Sequence, residues 1–146
     1  MKLGLILFLV LTLCNVMYSD ITQRTVKHRD LVLSSIFIFS LHQEYQIDIN
    51  YPMIFLFFIG GMIFWKLGIC GAGDIKLLTI LSLGMSQQWL LLCVVIMLFL
   101  GGVTAGGLLL YSKCSGRKEI VNHGVPYAIP IVFSFGFGII LTFLSK

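Results

Sequence analysis

Residues 71–76 read Gly71-Ala72-Gly73-Asp74-Ile75-Lys76. An apolar run over residues 51–69 leads into them, and a second over residues 75–85 leads out. An aspartate between two such runs is expensive if the runs cross a bilayer, costing about 2.5–3.5 kcal/mol at a helix centre. An ionisable residue kept at that cost points to chemistry rather than packing. The two glycines point the same way. Gly71 and Gly73 carry no side chain, so another group can approach the backbone beside Asp74 closely.

The rest of the chain supports a membrane reading. Of its 146 residues, 58% are hydrophobic and 11% charged, with a mean hydropathy of +1.01. Soluble domains are roughly 45–50% apolar and 25% charged. The expected fold class is therefore an all-α membrane protein, a polytopic bundle of about six transmembrane helices, some of them short. No soluble domain fits between the apolar runs, so residues 1–146 form a single transmembrane domain. The net charge of +4 does not predict nucleic acid as a partner, because the basic residues sit in short loops beside spans. The partner it implies is the lipid bilayer.

Residues 3–13 have the look of a signal sequence, but Met17-Tyr18-Ser19 lacks the small residue a cleavage site needs at −3. The segment is expected to stay as a short first span, residues 3–19, ending at Asp20. The most charged stretch follows: Asp20-Ile21-Thr22-Gln23-Arg24-Thr25-Val26-Lys27-His28-Arg29-Asp30. Its least demanding reading is a solvated loop. It holds two acids, Asp20 and its rival Asp30, and Asp30 is also placed to cap the next helix. Residues 31–41 are too few for a comfortable crossing. If Asp20 and Asp74 are to meet, however, an even number of crossings must separate them, so residues 30 to about 45 are expected to span as well. Residues 89–111 make the longest span, where Gly102 and Gly106 form a small-xxx-small face suited to close helix packing. Pro126 and Tyr127 open the last, residues 131–144.

Eight Lys and Arg residues fall on one side of this arrangement: Arg24, Lys27, Arg29, Lys66, Lys76, Lys113, Arg117 and Lys118. Lys2 and Lys146 fall on the other. By the positive-inside rule the crowded side is the cytoplasm. Six spans then leave both termini outside and bring Asp20 and Asp74 to the cytoplasmic face of the cell membrane. The cysteines Cys14, Cys70, Cys93 and Cys114 form no C-x-x-C pair, so neither a zinc site nor a disulfide framework is expected, and no cofactor is called for.

The Gly-x-Gly-Asp pattern at 71–74 resembles the GxGD intramembrane aspartyl proteases. With Lys76 it resembles more narrowly the type IV prepilin peptidases, whose pattern reads GxGDxK. Those enzymes carry a first catalytic aspartate ahead of a basic stretch and Ile-Pro-Asn. In this chain Val26, Lys27 and His28 follow Asp20 at that spacing, so the acid and the apolar position match while Pro and Asn do not. Val125-Pro126-Tyr127-Ala128 resembles the Pro-Tyr/Phe-Gly segment that begins the family's last span, with Ala128 in place of Gly. The resemblance implies Asp20 and Asp74 as catalytic acids. It assigns motif or substrate-binding support to Gly71, Gly73, Lys76, Pro126 and Tyr127. It also implies cleavage of the leader of prepilin or pseudopilin precursors, without metal or cofactor. The chain resembles a minimal peptidase core without the added cysteine-bearing region of larger members. Two other functions fit the same sequence: a non-catalytic polytopic subunit of a pilus or secretion assembly, and a GxGD protease with a different membrane substrate.

Overall fold

Six helices and no strand make up the described residues of the computed structural model, which are 2–23, 25–46, 49, 51–68, 70–115 and 127–145. They are α1 (Lys2–Gln23), α2 (His28–Tyr45), α3 (Tyr51–Lys66), α4 (Ala72–Ser82), α5 (Gln87–Ser115) and α6 (Ala128–Leu144). The all-helical expectation holds. Two helices are long and apolar enough to cross a membrane by length and composition, at Gly4–Gln23 and Gln87–Cys114. α3, α4 and α6 are shorter, with 16, 11 and 17 residues.

α1, α2, α4 and α6 pack in a closed ring, each against the next. α3 lies outside the ring on α4, and α5 lies outside it on α6. α6 is the best-buried helix, turning Ala128, Ile131, Val132, Phe135 and Ile139 inward. They meet Leu9, Leu13 and Val16 of α1, Leu31, Ile38 and Leu41 of α2, and Leu77 and Leu81 of α4. α3 buries only Ile54 among its described residues.

Side-chain contacts fix which helix ends lie together. At one end the rings of Tyr45 and Phe143 stand 4.5 Å apart, and the Ser86 N–H donates to Thr142 Oγ1 at 3.2 Å. That end joins the close of α2, the start of α5 and the close of α6. The opposite end, where α1 closes and α4 and α6 begin, holds the acidic residues described below.

Two details depart from expectation, whereas the second helix, 18 residues or about 27 Å, covers the stretch expected to cross from residue 30 to about 45. Its polar residues do not interrupt it, because their hydroxyls bond within the helix: Ser34 Oγ to the Asp30 carbonyl, Ser35 Oγ to Val32 and Ser40 Oγ to Ile36. α5 starts at Gln87, ahead of the run expected from residue 89, and runs 29 residues. A Cβ at Gly102 or Gly106 would meet nothing within 4 Å among the described residues. The close helix contact of α5 is made from α6 instead: a Cβ at Gly138 would collide with Cys93 Sγ and lie 2.9 Å from Met85 Sδ.

Candidate active site

Asp74 occupies the first turn of α4, ahead of the apolar stretch at residues 75–85 and so outside the segment read as a span. The turn is built by its own residues. Gly71 is the N-cap, and the Asp74 carboxylate reaches back so that the Gly71 N–H donates to Oδ2 at 3.2 Å. This is the acid half of a capping box, and it fixes the rotamer of Asp74. Gly71 also leaves room for that carboxylate, since a Cβ there would stand 3.0 Å from Asp74 Oδ2.

Asp20 comes from the last turn of α1 and is buried, 5% exposed. The loop after it is pinned to the helix end, where Ser19 Oγ donates to the Thr25 carbonyl at 2.9 Å. The loop then crosses the start of α4, where a Cβ at Gly73 would lie 3.0 Å from Val26 Cβ and 3.9 Å from Val26 Cα. The close approach inferred from the two glycines is therefore made at Gly73, by Val26. Asp20 is held from a third direction. Its Oδ2 accepts a hydrogen bond from the backbone N–H of Ala128, the first residue of α6, at 3.2 Å.

The two carboxyls act on each other. Burial, and then the charge of Asp20, push the Asp74 carboxyl up to about 6, against the opposing pull of the Gly71 N–H. Tyr127 and Cys70 complete the surroundings. Burial, then the Asp74 charge, raises the Cys70 thiol, which keeps it protonated and weakly nucleophilic. Burial, then Cys70 and Asp74, raises the Tyr127 phenol. The Tyr127 ring lies over Gly101 of α5, where a Cβ would stand 3.6 Å from the ring.

The structure thus draws Asp20, Asp74, Gly71, Gly73 and Tyr127 together. Pro126 lies outside the described residues. Lys76 does not join them. It is exposed and lines a shallow groove with His28, Leu31, Ser35 and Phe58. Two residues past Asp74, it falls on a different face of α4. The rival Asp30 is no cap: Lys27 stands at the N-cap with no side-chain bond, and Asp30 is buried in the first turn beside exposed Arg29, 3.7 Å away. The side-chain patterns could not have revealed Ala128, which acts through its backbone. Val26 was legible only as a matching apolar position.

Among the described residues no group of three or more His, Cys, Asp and Glu could hold a metal ion. Of the two acids, Asp20 is buried and Asp74 half-buried. A family model described as the type IV leader peptidase family matches residues 6–106, which hold both acids and the 71–76 motif but not α6. No curated protein and no solved structure matches the chain.

Proposed function

The chain belongs to the type IV leader peptidase family, and on that footing we propose that it is an aspartic endopeptidase. Family membership makes it a leader peptidase-type protease acting on precursor proteins. The narrower proposal is that the precursors are prepilin or pseudopilin-like, cut at the cytoplasmic face of the cytoplasmic membrane by Asp20 and Asp74. What supports it is that Asp20 at the end of α1 and Asp74 at the start of α4 lie at the same end of the helix ring, with Val26 of the α1–α2 loop against Gly73 beside Asp74.

Two coupled carboxyls do not both ionise easily, so one keeps a proton while the other serves as base. The ionised acid takes a proton from water, and the water attacks the scissile carbonyl carbon. The protonated acid donates to the carbonyl oxygen. As the tetrahedral species collapses, the C–N bond breaks and the departing amine takes up a proton from the pair. Gly71 orients Asp74, and Gly73 lets the α1–α2 loop close over it. Tyr127 forms one wall.

The placement proposed is multi-pass, with six crossings and both ends outside. It is supported by exposed Lys27, Arg29, Lys66 and Lys76, which all lie at or near the helix ends that carry the acids.

Three single variants test the function. Asp20→Asn and Asp74→Asn should each abolish leader cleavage while the protein still accumulates, and the double variant should be little worse, since the pair acts as a unit. Asp30→Asn should cleave. Normal cleavage by all three would end the peptidase reading and leave a non-catalytic assembly subunit. Cleavage of a different membrane protein, with pilin-like precursors left intact, would replace only the substrate class.

A further inference from the structure

Asp20 poses an electrostatic problem that its own helix makes worse. It sits in the last turn of α1, where the helix presents carbonyl groups and the negative end of its dipole. Its side chain is buried. Asp74, nearby, is a second acid. Each of these disfavours a charged carboxylate, and an acid that cannot ionise cannot serve as a base. One opposing contact comes from a helix more than a hundred residues away in the chain. Ala128 opens α6, where N–H groups have no partner within the helix, and its N–H donates to Asp20 Oδ2 at 3.2 Å. The donor is fully buried, at 0% exposure, so water does not compete for the bond.

We propose that Ala128 is a positioning residue, whose backbone N–H at the start of α6 orients Asp20 and keeps it ionisable. The inference rests on the peptidase reading for its consequence in catalysis, but not for the bond itself. α6 then has a role beyond packing. Tyr127, the residue just ahead of that N–H, feels the charge of Asp74. A hydrogen bond to the charged form of a carboxylate lowers its pKa. Its loss should therefore raise the pH needed to ionise Asp20.

Among the described residues, the charged and titratable groups at this end of the helices include these. Cys70 and Tyr127 face Asp74. Arg29 and Asp30 open α2, with His28 and Lys27 exposed beside them. Lys66 closes α3 and Lys76 is exposed on α4. α6 itself carries no titratable side chain from Ala128 to Leu144. The Ala128 contact is therefore a backbone effect that no side-chain substitution on α6 reproduces.

The sequence offers a direct probe, because the chain contains three alanines, Ala72, Ala105 and Ala128. In protein labelled with 15N-alanine and held in nanodiscs, Ala128→Gly identifies the Ala128 amide by deleting its signal. That signal should shift with pH in the native chain and lose most of the shift in Asp20→Asn. A signal that does not titrate, or that titrates equally in Asp20→Asn, overturns the proposal, whether or not the chain cleaves leaders.

The catalytic arm replaces Ala128 with lactate by cell-free translation, changing the amide to an ester without a donor. The acid limb of the cleavage profile should rise by about one pH unit, and kcat should fall at least tenfold with KM within twofold. Ala128→Gly keeps the N–H and should keep the native profile. An ester protein with an unchanged profile overturns the proposal while the peptidase reading stands. Absence of cleavage by the native chain strikes the peptidase reading alone, because the amide titration still decides the bond.

Discussion

Asp74 is held in its turn at a cost in charge, and the cost has a direction with pH. Its carboxyl is raised from an ordinary 3.8 to about 6. The folded chain therefore binds a proton more tightly than the unfolded chain between those values, and stability falls as pH rises through that window. Asp74→Asn removes the penalty. Its melting temperature in detergent should match the native value near pH 4 and exceed it above pH 6.5, by the equivalent of about 1–2 kcal/mol. An unchanged difference across that range would show that Asp74 carries no such penalty. Gly73 makes the second prediction. Gly73→Ala places a Cβ 3.0 Å from Val26 Cβ and should lower cleavage by displacing the α1–α2 loop. Adding Val26→Gly should restore part of the loss, with a coupling of about 0.5–3 kcal/mol in a double-mutant cycle. At this scale the sequence was readable where a side chain, or the lack of one, makes the contact: Asp74 at Gly71 and Gly73 beside Val26 stand in the letters. It misled at Asp30, whose place beside a polar loop suggested a cap although the residue is buried in the helix.

Among the helices, glycine alone is a poor guide to where two of them touch. Gly102 and Gly106 share a face of α5, where a Cβ would meet nothing within 4 Å among the described residues, whereas Gly138 of α6 has two sulfur atoms against it. Gly102→Ala and Gly106→Ala should leave thermal stability unchanged or raise it by about 0.5–1 kcal/mol, since Gly is the poorer helix former. Gly138→Ala should lower it by about 1–3 kcal/mol through overpacking, and Cys93→Ala should relieve part of that loss. Equal effects at all three positions would show that α5 and α6 are not packed through Gly138. Element lengths were only partly legible for a related reason. Hydropathy registers the serines of α2 as polar, but their hydroxyls bond to carbonyls of the same helix and leave it intact. The link between α6 and Asp20 was not legible at all, because it is donated by a main-chain amide.

For the molecule as a whole, the closed ring of α1, α2, α4 and α6 puts the start or end of each helix at one of two opposite ends. Reporters fused after Gln23, Gln46, Gln87 and Ser115 should read inside, outside, outside and inside. A cytoplasmic signal after Gln46 would break the alternation and separate the two acids. That exposed Lys and Arg gather at one end was readable from the charge pattern. The closure of the ring was not, since apolar residues look alike whether they face lipid or a neighbouring helix. α3 stands apart from that ring. It leans on α4, buries only Ile54 among its described residues, and leaves Phe55, Leu56, Ile59 and Ile63 exposed. Its outer surface and the interior of α6 are therefore under unequal selection. The outer positions of α3 can drift among apolar residues with no side chain of the ring to answer to. A change inside α6 must be matched on three neighbouring helices at once. Lineages of this protein should diverge fastest along α3, and a library randomised at those four positions should yield functional variants far more often than one randomised at Ile131, Phe135, Gly138 and Ile139.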